Sequence, residues 1–314
     1  HYVKFMEMLG MSLKEPVPAR ALITFWLSAP QEMQVPIPAG TEVASTQTET
    51  QPSIVFTTDE PFSIKPPDWR AALSFVVNED NERDYHAHDV GRLSKGLENV
   101  NVFSAAPQEG DAFYFGFGND ISRHILGFVL DCDPAGGAGI DPTQPPYVWE
   151  VSTGSQDDPW ARCVVDDAED TTKGLNTPGR IRLHLPDMGR FTVNKQNLYW
   201  VRLRLLHKDE YESRMRPYRN TPRLRQAAVS SWGGAAWATH SQVISREMLG
   251  QSDGSPGQSF QLQVTPILRR RPEEMLVVQD GEENQVWTEV PNFAQSTAVD
   301  THYTLDSVTG ELRF

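Results

Sequence analysis

Tyr2, Phe5, Met6 and Leu9 repeat at helical spacing, and Gly10, Pro16 and Pro18 then forbid continuation. The spacing predicts one short amphipathic helix over residues 1–15. After it the period falls to two. "ARALITFWLS" reads as a strand of mixed burial, "VPIPAGTEVAS" as two short strands about a Pro-Ala-Gly turn, and "SIVFTT" and "FSI" continue the pattern. Residues 78–98, "NEDNERDYHAHDVGRLSKGLE", lose the apolar period and read as a charged loop. Six further strand-like runs follow: "DAFYFGFGND", "ILGFVLDC", "YVWEVSTG", "WARCVV", "GRIRLHLP" and "LYWVRLRLL". In "RIRLHL", Ile181, Leu183 and Leu185 fall on one face and Arg180, Arg182 and His184 on the other, which predicts one dry and one wet side. The region from 226 is again extended, and "HYTLDSVTGELRF" reads as a hairpin turned by Asp306–Gly310.

Short strands at regular spacing predict a mainly β chain of two or more β-sandwich-like domains, one a jelly-roll-like insertion, with a short N-terminal helix. The expected division is 1–15 as the end of a helical segment, 16–104 as a first β domain completed by 208–245, 105–207 as the inserted sandwich, and 246–314 as a connector and β-rich segment. The opening reads as the middle of a helix and the end as mid-strand, so a longer native chain is expected.

Charge changes this picture at one place. The 314 residues carry a net charge of −14, which opposes binding to nucleic acid or anionic lipid over most of the surface. Residues 201–225 alone are basic, with 8 Lys and Arg against 3 acids. Arg214, Arg216, Arg219, Arg223 and Arg225 are therefore candidates for contact with an acidic partner, beside the plainer reading of charges that keep a strand edge from pairing. The helical stripe of Tyr2, Phe5, Met6 and Leu9 is the apolar interface candidate. Cys132 and Cys163 are too few for a disulfide framework and read as buried free thiols. No apolar run reaches the length of a membrane helix.

The most conspicuous candidate for chemistry is "MLGQSDGSPGQSF", residues 248–260. A phosphate loop needs its glycines between a strand and a helix N-terminus. Here Phe260, Leu262 and Val264 alternate as a strand, Pro266 blocks a helix, and the lysine of a P-loop is missing. The segment reads as a connector of two turns, Asp253-Gly254 and Ser255-Pro256-Gly257. No G-x-S-x-G elbow occurs, so no nucleophile is assigned. His86 and His88 share a strand face without a third metal ligand at zinc spacing, and "DDAEDTT" (166–172) lacks a calcium-loop pattern. Neither cofactor nor metal is expected. Trp149, Trp160, Tyr199 and Trp200 suit core packing first, with stacking on sugar rings as the alternative.

Together these stretches resemble one family. "FWLSAPQEMQVPIPAGTEVAS", "IVFTTDEPFSI", "YVWEVSTG", "DDAEDTTKGLNTPGRIRLHLP", "YWVRLRLL", "SREMLGQSDGSPGQSFQLQVTPIL" and "YTLDSVTGELRF" are similar, in order, to the baseplate assembly proteins of contractile injection systems, the baseplate J-like wedge proteins related to those of contractile phage tails. The most specific element is Glu247–Leu262. The resemblance implies a structural subunit without catalytic residues. Its partners would be other copies of itself, a second wedge protein, the spike hub and sheath-proximal baseplate proteins. It also implies assembly in the cytoplasm into a phage tail-like particle, released or membrane-anchored, and a J-like domain following "TGELRF". The alternative from the residues alone is a carbohydrate-binding β-sandwich module using Trp149, Trp160 or Trp200.

Overall fold

In a computed structural model the described residues are 17–47, 53–77, 82–133, 140–166, 170–212, 214–242, 244, 246–268, 270 and 274–314. The expected helix with Tyr2, Phe5, Met6 and Leu9, and Asp167 and Glu169 of the acidic cluster, lie outside them. The described chain is mainly β. Its strands are β1 (Arg20–Trp26), β2 (Val35–Ile37), β3 (Glu42–Ala44), β4 (Val55–Thr58), β5 (Phe62–Ile64), β6 (Trp69–Val77) and β7 (Arg83–His88), followed by a five-residue helix α1 (Val90–Ser94). Then come β8 (Val100–Asn101), β9 (Ala112–Phe117), β10 (His124–Asp133), β11 (Tyr147–Ser152), β12 (Trp160–Arg162), β13 (Val164–Val165), β14 (Gly179–His184), β15 (Arg190–Val193) and β16 (Gln196–Leu205). The last are β17 (Arg223–Thr239), β18 (Ser259–Gln261), β19 (Leu276–Asp280), β20 (Glu283–Glu289), β21 (His302–Leu305) and β22 (Glu311–Arg313). No helix among the described residues is long and apolar enough to cross a membrane.

The chain divides into two compact units, 1–21 with 40–57 and 238–314, and 22–39 with 58–237. It passes between them within β1, between residues 39 and 40, within β4 and within β17. The larger unit contains a seven-stranded sheet in the order β12-β11-β16-β9-β6-β7, with β15 also on β16, and a second set running β13-β14-β10-β17. All the registered pairs in these two sheets are antiparallel. Strict alternation sends Phe113, Phe115 and Phe117 of β9, Trp149 and Val151 of β11, and Val201 and Leu203 of β16 to one face of the first sheet. There they form one core with Leu126, Phe128 and Leu130 of β10 and Ile181 and Leu183 of β14. Burying a side chain of this size contributes about 1.5–3 kcal/mol, and this cluster has more buried members than the one on the sheet's other face.

The opposite face of the seven-stranded sheet carries a smaller cluster, Leu73, Ala112, Tyr114, Val193 and Trp200, with Phe75, Tyr85 and Trp160 packed against it. In the smaller unit β3 and β4 form a hairpin, and a five-stranded sheet runs β18-β22-β21-β20-β19. The hairpin turned by Asp306–Gly310 forms there as expected: the Asp306 carboxylate accepts from the amides of Val308 and Thr309, and Gly310 has φ +74.

Residues 83–94, expected as charged loop, instead form β7 and α1. Among the described residues β7 pairs only with β6, at the edge of the sheet, and an edge tolerates Arg, Asp and His because one side faces water. Asp89 then N-caps α1, its carboxylate accepting the Arg92 amide at 3.0 Å.

Candidate functional site

A cleft of about 500 Å³ opens in the larger unit where the β6–β7 edge meets the segment around β8 and the start of β17. Its position follows from register. Ser74 lies opposite His86 on β7 and opposite Phe113 on β9, while Ala72 lies opposite His88, so Ser74, His86 and His88 share the core-facing side of the sheet. Towards β9 that side is filled by phenylalanines; towards the β7 edge it is lined by polar groups. Ser74 is the sole hydroxyl in "WRAALSFVV", and as a buried polar group it requires a partner. That partner is His88: Ser74 Oγ and His88 Nε2 are 2.9 Å apart.

The His88 ring lies nearly parallel to Phe113, 13° between planes with centroids 5.8 Å apart. Its other nitrogen, Nδ1, is 3.7 Å from Glu98 Oε1. Glu98 reaches this point because α1, anchored by the fully buried Leu93, turns the chain back on itself; the Leu97 amide donates to the Arg92 carbonyl at 2.9 Å. Burial lowers the His88 pKa below its ordinary value, against the raising effect of the Glu98 carboxylate, while His86 adds a smaller lowering contribution. The imidazole is therefore neutral at pH 7, and a carboxylate at Nδ1 favours the tautomer whose Nε2 lone pair faces Ser74.

The lining also includes the polar residues Asn99, Asn101, His86 and Arg223 and the apolar Val76, Val77 and Val100. No carboxylate belongs to the lining. The structure thus brings together the His86–His88 pair and Arg223, 135 positions apart in sequence, with a serine that sequence reasoning passed over. The signal available was a lone polar residue inside an apolar strand. No group of three or more metal-ligating side chains occurs among the described residues, so His86 and His88 lack the third ligand a metal would need.

The other arginine candidates take different places. Arg214, Arg216 and Arg219 are exposed in the irregular stretch before β17. Arg225 is held by Asp131 at 2.9 Å and Asp133 at 3.2 Å. Arg202 and Arg204, which contribute to the basic count, point to the outer face of the seven-stranded sheet. There Glu150 accepts from Arg202 Nε at 2.7 Å and from Arg204 at 3.0 Å, and Glu210 bridges Arg204 and Arg162. The basic segment is thus partly neutralised within the chain.

Trp149 and Trp200 are fully buried, so neither ring presents a face to a sugar; Trp160 is half-buried with the Arg202 guanidinium 3.8 Å from its ring centre. Cys132 is buried and its thiol is pushed up to about 12 by desolvation and, secondarily, by Asp131 and Asp133. Cys163 is likewise a free thiol raised by burial.

In the glycine-punctuated segment the backbone amides serve the chain itself. Asp253 Oδ1 accepts from the Ser255 amide at 2.9 Å and its hydroxyl at 2.6 Å, the Gly254 amide donates to Ser252 Oγ, and the Asp253 amide to Gln258 Oε1. Gly254 and Gly257 have φ of +77 and +74, where a side chain would be strained. Glu247 closes the base of the segment by accepting the Gln263 amide at 2.7 Å. These bonds occupy the amides of Asp253, Gly254 and Ser255.

Comparison with protein-family models gives no match for this chain, and comparison with curated proteins gives none either.

Proposed function

We propose that the chain is a structural baseplate wedge subunit of a contractile injection system, assembling with copies of itself and a second wedge protein around a spike hub and supporting the sheath. The observation that carries this reading is the segment Glu247–Leu262, whose sequence resembles that family and whose Asp253, Gly254 and Ser255 amides donate to side chains of the segment itself. A connector braced by its own side chains suits a scaffold that transmits force between β modules. In this reading residues 105–207 form a jelly-roll-like β-sandwich, residues 1–15 form a short helix packing on a neighbouring subunit, and exposed Arg214, Arg216 and Arg219 meet an acidic partner. Interfaces of that kind rest on apolar anchors with polar rims.

The test is electron microscopy of particles from cells lacking this gene. Absence of assembled baseplates is the expected result, restored by a wild-type copy; normal baseplates overturn the reading.

A further inference from the structure

Assembly requires no chemistry, yet a hydroxyl and an imidazole line the cleft, and a carboxylate outside its lining stands behind the imidazole. We infer that Ser74, His88 and Glu98 form a hydrolytic triad acting on carboxylic esters that join a short acyl group to a polar alcohol. The inference does not depend on the baseplate reading.

Three observations support it. Ser74 Oγ lies 2.9 Å from His88 Nε2, within reach for proton transfer. Glu98 stands on the Nδ1 side at 3.7 Å, a separation that catalytic pairs close when substrate binds. The Glu98 Oε2 atom is buried and accepts no hydrogen bond among the described residues, with Arg92 Nε at 3.9 Å as its ion-pair partner. Finally, the Ser–His pair, with Ser74 3% exposed, forms part of the wall of an open cleft of about 500 Å³, the size range of small-ligand sites. The lining sorts the substrate. Val76, Val77 and Val100 offer an apolar side for a short acyl chain; Asn99, Asn101 and Arg223 offer donors for the alcohol and for the oxygen that becomes negative.

The steps balance without a cofactor. Ser74 Oγ adds to the ester carbonyl carbon as His88 Nε2 takes its proton, and the carbonyl oxygen becomes the oxyanion. Collapse breaks the C–O bond to the alcohol, which leaves with the proton from His88. Water, deprotonated by the same nitrogen, adds to the acyl-serine, the acid departs, and the proton returns to Ser74. Ser74 and His88 are catalytic residues in this scheme, and Glu98 is a positioning residue.

The experiment treats the folded chain with a fluorophosphonate probe, maps the adduct by mass spectrometry, and follows 4-nitrophenyl acetate hydrolysis. Stoichiometric labelling of Ser74 is expected, and the labelling and the hydrolysis are both lost in Ser74→Ala. His88→Gln lowers hydrolysis roughly 10²–10⁴-fold. Glu98→Gln lowers the rate and moves the lower limb of its pH profile to more acid pH, because the carboxylate raises the His88 pKa and its removal lets that value fall. Should Ser74→Ala unfold, as circular dichroism would report, labelling of the wild-type chain still decides the matter. A folded wild-type chain unlabelled at Ser74, or hydrolysis undiminished in a folded Ser74→Ala, overturns the proposal. Baseplate assembly is expected to remain intact in cells carrying a folded Ser74→Ala chain, so the two proposals fail separately.

Discussion

Glu150 on β11 accepts a hydrogen bond from Arg202 on β16 at 2.7 Å, and both side chains are almost out of solvent, at 7% and 14% exposure. Their registers make the meeting obligatory, since Glu150 and Arg202 are directly paired across the two strands. The same carboxylate holds Arg204, and the Arg202 guanidinium lies over Trp160.

Removing the carboxylate leaves two cations with one partner fewer in a poorly solvated place. Breaking such a pair costs about 3–5 kcal/mol, far more than the ~0–1 kcal/mol of an exposed pair. Glu150→Ala is therefore expected to lower the urea midpoint of the larger unit strongly, while Arg70→Ala, which breaks the exposed pair with Asp68, changes it little. Equal shifts for the two variants would show that burial does not set the worth of the Glu150 network.

Glu210 provides a pH-dependent part of the same network. Hydrogen bonds from Arg204 hold its carboxyl down to about 2, with the His207 amide and the charges of Arg204 and Arg162 acting in the same direction. A group depressed in the folded state stabilises fully above its unfolded value near 4.5, and that contribution is lost as pH falls towards 2. The stability difference between wild type and Glu210→Gln is expected to be constant above pH 5 and to shrink progressively in acid. A difference independent of pH down to 2 contradicts it.

Gly127 on β10 lies beneath the ring of Trp232: a Cβ at that position would stand 2.5 Å from the indole. The ring also carries the Arg182 guanidinium, 4.5 Å from its centre. Gly127→Ala must displace the indole and disturb that stack, a packing cost of about 1–3 kcal/mol. Tryptophan fluorescence and near-ultraviolet circular dichroism are expected to change along with a lowered melting temperature. Unchanged spectra and stability would mean that the ring has room to move.

Much of the β character is written along the chain. Ile181, Leu183 and Leu185 are buried as their alternation requires, and Asp306 and Gly310 turn the final hairpin through chemistry that needs no distant partner. Asp253 and Ser255 likewise make their turn from neighbours two positions apart. Residues 83–88 were illegible for the opposite reason. "RDYHAH" becomes a strand only because β6 offers its backbone, and no local pattern announces that edge. Trp149 and Trp200 show the same limit, since a strand aromatic has two faces to choose from and the second sheet and the β15 region decide which close over it. Ser74, His88 and Glu98 are separated by 14 and 10 positions, and of the three only His88, paired with His86, stands out in the sequence. Local interactions, limited to a few residues of reach, determined turns and alternation from sequence; the meeting of hydroxyl, imidazole and carboxylate was decided by strand register and by the helical turn that brings Glu98 back, because only long-range pairing fixes which side chains become neighbours.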